Sequence, residues 1–220
     1  MREIGVLIKK ELLLEWRQKY ALNGILLYLV STIFICYLSF SLGTGAVSPA
    51  SWNALLWIIL LFTAVSAISK SFNQEKEGRM LYYYSIASPQ AVIISKIIYN
   101  TLLMLILALP GYFIYSVVMG NPVFNESLFM VNLILGAVGF SSTLTMVSGI
   151  AAKAGNNATL MAILSFPVIV PMLLLLIRIS KNAMDGLSWS ASNSSILVLL
   201  AINAIVIAVS YLLFPYLWRS

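Results

Sequence analysis

Of 220 residues, 61% are hydrophobic and only 9% are charged, whereas a soluble domain carries roughly 25% charged residues, so the composition excludes an ordinary soluble domain and points to a membrane protein. The chain has no histidine and a single cysteine, Cys36, which removes the commonest metal ligand, the commonest general acid–base and any intrachain disulfide. The net charge of +6 comes from basic residues flanking apolar runs, a topology signal and not a nucleic-acid footprint, and no nucleic-acid partner is expected.

The first expected element is a helix over Arg2–Tyr20, REIGVLIKKELLLEWRQKY, rich in helix formers and free of proline. Val6, Leu13, Trp16 and Tyr20 share one helical stripe, with Leu12 beside it and Lys9 interrupting it. Such a face fits a helix lying in the membrane interface, with Trp16 and Tyr20 as amphipathic anchors. A short cytosolic helix that only sets topology is the alternative.

Six apolar segments follow, each long enough to cross ~30 Å of hydrocarbon with ~20 residues. They run about Ala21–Leu42, Ser51–Ser69, Ile97–Met119, Ser127–Ala151, Asn157–Ile177 and Ser195–Leu217. None holds a charged residue in its interior, as expected where a charge at the bilayer centre costs roughly 2.5–3.5 kcal/mol on insertion scales. Eleven of the thirteen Lys and Arg residues fall on one side of these spans, and only Arg178 and Lys181 on the other. The excess of positive charge assigns both termini to the cytosol. The first span is too long for a signal-peptide apolar region and is read as retained.

Between the second and third spans runs FNQEKEGRMLYYYSIASP, Phe72–Pro89, on the cytosolic side. Asn73 suits a helix N-cap, and Glu75 and Glu77 sit where the helix dipole favours negative charge. Glu75 and Arg79 form an i,i+4 pair worth a few tenths of a kcal/mol. Pro89 disfavours the helical conformation at Ser88 and turns the chain, and helix resumes after it through Lys96 into the third span. The segment is either an amphipathic connector with its tyrosines on headgroups or a docking element for a cytosolic partner. Tyrosine suits the second role because it buries much area at low entropic cost.

Within the fourth span, Ala137, Ser141, Thr145 and Gly149 recur at four-residue intervals, a pattern that lets helices approach closely, either within the chain or between two copies of it. Asn100, Asn132 and Asn203 are expected to make interhelical hydrogen bonds. Pro110, Pro167 and Pro171 each remove a backbone donor and favour a bend. Lys181–Ser195 reads as the longest outward polar loop, with Trp189 at the interface or against a partner.

Catalytic equipment is missing. The sequence has no G-x-x-x-x-G-K-[ST] loop and no H-E-x-x-H, and a Ser-His-Asp triad is impossible without histidine. Ion-gradient coupling would call for ionisable residues within the spans, and none are present. Energy for any transport must therefore come from a partner.

The pattern F-x-x-E-x-E-G…S-P…K, carried by Phe72, Glu75, Glu77, Gly78, Ser88, Pro89 and Lys96, resembles the coupling loop of ABC exporter permeases. Two further stretches are similar to the haem exporter permease of cytochrome c maturation, the CcmB family. These are AAKAGNNATLMAILSFPVIVPMLLLLIRIS (Ala151–Ser180) and KKELLLEWRQKYALNG (Lys9–Gly24). The resemblance covers nearly the whole chain. It implies an all-α membrane protein of the bacterial inner membrane, one permease domain over residues 1–220. Residues 1–20 would form the interfacial helix, residues 72–89 the cytosolic coupling loop, and six helices would span the bilayer.

The implied partners are a cytosolic ABC ATPase subunit, a second copy of the chain, a haem-handling membrane subunit, a small membrane subunit and a haem chaperone. ATP would be hydrolysed by the separate subunit, with haem the possible substrate. The residues carried over as ATPase-coupling are Phe72, Glu75, Glu77, Gly78, Arg79, Tyr82, Tyr83, Tyr84, Ser88 and Pro89. Among them Glu75, Glu77 and Arg79 would set orientation, and the three tyrosines would fill a cleft. Haem iron is held by His, Met, Cys or Tyr; Cys36 and the nine methionines read as packing residues, which leaves ligation to a partner. Two alternatives stay open: a permease for another exported substrate, and a non-transporting scaffold that relays ATPase motion.

Overall fold

A computed structural model of the chain describes residues 2–17, 19–42, 47–69, 71–72, 87–153 and 158–219. These form seven helices, with no strand among the described residues: α1 (Arg2–Arg17), α2 (Lys19–Ser41), α3 (Pro49–Ile68), α4 (Pro89–Met119), α5 (Glu126–Lys153), α6 (Ala158–Met184) and α7 (Trp189–Arg219). The last six are long and apolar enough to cross a membrane, the number expected from the apolar runs. Local chemistry sets several helix starts. The Ser48 side chain accepts from the Ser51 amide, with Pro49 in the first turn of α3, where its missing N–H costs nothing. Ser88 is extended (φ −69°, ψ 138°) before Pro89 opens α4, the conformation that a following proline imposes.

The six long helices alternate in direction. Arg2, Phe72, Ser88, Lys153, Ala158 and the last turns of α7 therefore gather at one end, called here the terminal end, and residues 185–188 lie at the far end. α5 is the centre of the bundle: 72% of its span is buried, against 11% for α2 and 17% for α7. Ala137, Ser141, Thr145 and Gly149 are all buried inside this one chain, so the small-residue stripe serves intramolecular packing. At neighbouring Gly136 an added Cβ would stand 2.7 Å from Trp57 Cζ3, so the Trp57 ring rests directly on the α5 backbone. Lipid is as apolar as a leucine core, so close approach and interhelical hydrogen bonds take over from the hydrophobic effect.

The three asparagines supply such bonds. Asn100 Nδ2 donates to Thr145 Oγ1 at 2.7 Å, Asn132 Nδ2 to the Leu176 carbonyl at 2.8 Å, and Asn203 Nδ2 to the Leu135 carbonyl at 3.1 Å. Cys36 packs half-buried against the core, and Met104, Met161, Met172 and Met184 are part of it. Pro110, Pro167 and Pro171 lie inside helices.

One expectation is corrected. Lys181–Ser195 is not a long outward loop: α6 continues to Met184 and α7 begins at Trp189, leaving residues 185–188 as the turn. Gly186, at φ +69°, takes the left-handed conformation that ends a helix at little steric cost. The Leu187 amide closes back on the Asn182 carbonyl at 3.0 Å. Hydropathy marks where lipid ends, and these helices run past that point.

Candidate functional site

The described structure leads into residues 73–86 from both sides at the terminal end. Residues 73–86 themselves, with Glu75, Glu77, Gly78, Arg79, Tyr82, Tyr83 and Tyr84, lie outside the described residues. Of the sequence-predicted site residues, Phe72, Ser88 and Pro89 are described, and all three fall at the base of this segment.

Phe72 is 3% exposed. It packs with Val92, Ile93 and Ile97 of α4 and Phe214 of α7, and Leu7 of α1 and Ala152 of α5 border the same cluster. Gly149 of α5 makes room for it: an added Cβ there would lie 3.4 Å from the Phe72 ring and 3.3 Å from that of Phe214. Backbone groups just after α3 are tied down as well. The Ser71 amide donates to the Ile68 carbonyl at 2.9 Å, and the Ser69 carbonyl accepts from Ser148 Oγ at 3.3 Å. Asn100 Nδ2 donates to Ser71 Oγ at 3.0 Å. On the other side, exposed Ser88 donates from Oγ to Glu3 Oε2 at 3.2 Å, and its carbonyl accepts from the Val92 amide at 3.1 Å.

The helix α1 runs alongside the first turns of α4 in the same direction. Glu3 meets Ser88, Glu11 meets Lys96 and Glu15 meets Tyr99, with sequence separations of 85, 85 and 84 residues. At 1.5 Å per residue the 31 residues of α4 extend about 46 Å, roughly 16 Å more than the hydrocarbon core. The surplus accommodates the stretch that α1 covers. Of the apolar stripe expected from the sequence, Val6 and Leu13, with neighbouring Leu12, are exposed on the outer face of α1, and the side chains of Trp16 and Tyr20 lie outside those described. The inner face is Glu3, Leu7, Glu11 and Glu15, one residue per turn. Sequence reasoning did not single out Glu11 or its pairing with Lys96. The placing of Glu3, Glu11 and Glu15 at eight- and four-residue steps, on one helical face, was the available signal.

Among the described residues no group of three or more His, Cys, Asp or Glu is placed to hold a metal. What the base offers is mechanical. Apolar packing from α1, α4, α5 and α7 grips Phe72, and a hydrogen bond from Ser88 to α1 steadies the other side.

The family described as CcmB protein matches the chain over residues 2–216. A search of curated proteins found no match.

Proposed function

The chain belongs to the CcmB family, and from that premise we propose that residues 73–86 are the cytosolic docking element through which a separate ATPase drives this permease. Membership makes the chain a multi-pass inner-membrane permease component of an ABC haem exporter in cytochrome c biogenesis. The finer reading adds direction and mechanism. Eleven of thirteen basic side chains lie on the side of the termini, which assigns that end to the cytosol. Two copies of the chain pair with two ATPase subunits. Closure of the ATPases on ATP presses the segment toward the membrane, Glu75, Glu77 and Arg79 orienting it and Tyr82, Tyr83 and Tyr84 filling the ATPase cleft. A haem-handling membrane subunit and a small membrane subunit complete the assembly, and its cycle loads or releases a haem chaperone on the outer side.

The observation that carries this reading is the burial of Phe72 at the join of α3, α4, α5 and α7. A loop that merely connected two spans would need no such anchor. An anchored one delivers a push to α3 through Ser71 and to α4 through Pro89. Replacing Tyr82, Tyr83 and Tyr84 by alanine tests it: membrane insertion should persist while the ATPase no longer co-purifies. Wild-type ATPase recovery with that variant contradicts the reading.

A further inference from the structure

Lys96, in the second turn of α4, is 1% exposed. Its Nζ donates to the Ser71 carbonyl at 2.6 Å and to Glu11 Oε1 at 3.2 Å, and lies 4.7 Å from the centroid of the Phe72 ring. Glu11, 8% exposed, receives a second contact from Lys10 Nζ at 3.0 Å. Burying an ammonium and a carboxylate costs several kcal/mol per ion, and an apolar residue of similar volume would pack as well or better. Stability alone does not call for this pair.

An ammonium has what a methyl group lacks, three donors that engage separate partners at once. Here those partners belong to different parts of the chain: Glu11 to α1, and Ser71 and Phe72 to the turn between α3 and residue 73. The Ser71 carbonyl follows the C-terminal end of α3, where the helix dipole favours a cation. Asn100, one turn along α4, bonds both Ser71 and Thr145 of α5 and extends the linkage into the centre of the bundle.

We infer that Lys96 is a positioning residue that makes α1 move as one body with the base of segment 73–86. A displacement of the segment shifts Ser71 and Phe72, these carry Lys96, and the ion pair carries Glu11 and with it all of α1. The exposed apolar face of α1 then transmits the motion to the bilayer surface. The source of the displacement rests on the proposed ATPase docking; the linkage itself does not.

The test uses the complete complex with its ATPase in lipid nanodiscs, in a Cys36→Ala background. Spin labels are placed at Leu13→Cys on α1 and Ile134→Cys on α5, both positions exposed. ATP trapping should change the label separation on the order of 2–5 Å, the scale of helix shifts in switching proteins. In the Glu11→Leu/Lys96→Met double variant, which replaces both members of the buried pair by apolar side chains, that change should vanish, although the ATPase stays bound and thermal stability stays near wild type. The single Lys96→Met variant should lose the same change. A label shift that persists in the double variant overturns the inference, as does a wild-type complex with bound ATPase and no shift. Failure of the ATPase to accompany the wild-type chain overturns the docking proposal and, with it, the relay inferred to carry its motion.

Discussion

The rings of Phe72 and Phe214 meet with centroids 5.6 Å apart and a 41° tilt, joining the turn after α3 to the last turns of α7, with Gly149 backing both. Phe72→Ala leaves a hole at this join. Phe→Ala in a packed core costs about 3–5 kcal/mol, and here the loss falls on the base of segment 73–86. We expect lower thermal stability in detergent and weaker ATPase co-purification, with Phe72→Leu milder on both counts. Gly149→Val should behave like Phe72→Ala, because its branched Cβ enters space held by the two rings. Fluorescence-detected size exclusion during heating and pull-down of the ATPase measure the two effects.

Close approach of α5 to α3 depends on Gly136. With an added Cβ 2.7 Å from Trp57, Gly136→Ala forces the indole or the helix to move. The indole is held by its own bond to Ser180 Oγ at 2.9 Å. Overpacking of this kind costs roughly 1–3 kcal/mol. The variant should accumulate in membranes at reduced level, and Trp57→Leu in the same chain should restore part of the loss. Equal accumulation of Gly136→Ala and wild type contradicts this account of the α3–α5 contact.

Ser180 accepts from two donors, Trp57 Nε1 at 2.9 Å and Asn132 Nδ2 at 2.8 Å. Ser180→Ala deprives both, and a buried donor left unsatisfied costs about 1–3 kcal/mol. Ser180→Ala and Asn132→Leu should therefore combine less than additively, with a coupling energy on the order of 0.5–3 kcal/mol in a double-mutant cycle of thermal or denaturant stability. Additive losses would show that the bond between them is not energetically significant.

The six spans were legible because each is an apolar run of about twenty residues, and little else in a protein looks like that. So were the roles of Asn100, Asn132 and Asn203, since an amide in a span has few places to bond except a neighbouring helix. Helix ends were less legible. Pro89–Lys96 was read as helix because Pro89 marks its start, but Arg178–Met184 and Trp189–Ser195 are helical yet polar or mixed, and hydropathy cannot see a helix that has left the lipid. Lys96 was visible as part of a loop pattern, but its partner was not. Glu11 lies 85 residues away, and nothing local marks which buried cation a glutamate will meet. Phe72 was read as a coupling residue from the same pattern, and its burial against α7 was invisible because Phe214 is one aromatic among many near the C-terminus.

Residues 73–86 should face the cytosol and seat an ATPase, and a photo-crosslinking amino acid at Tyr83 tests this in intact cells. Illumination should join the chain to a cytosolic nucleotide-binding protein, and the adduct should weaken when Glu77 is reversed to Lys. Adducts formed only with proteins of the outer compartment, or an ATPase adduct equally strong from an outer-side control at Trp189, would contradict it.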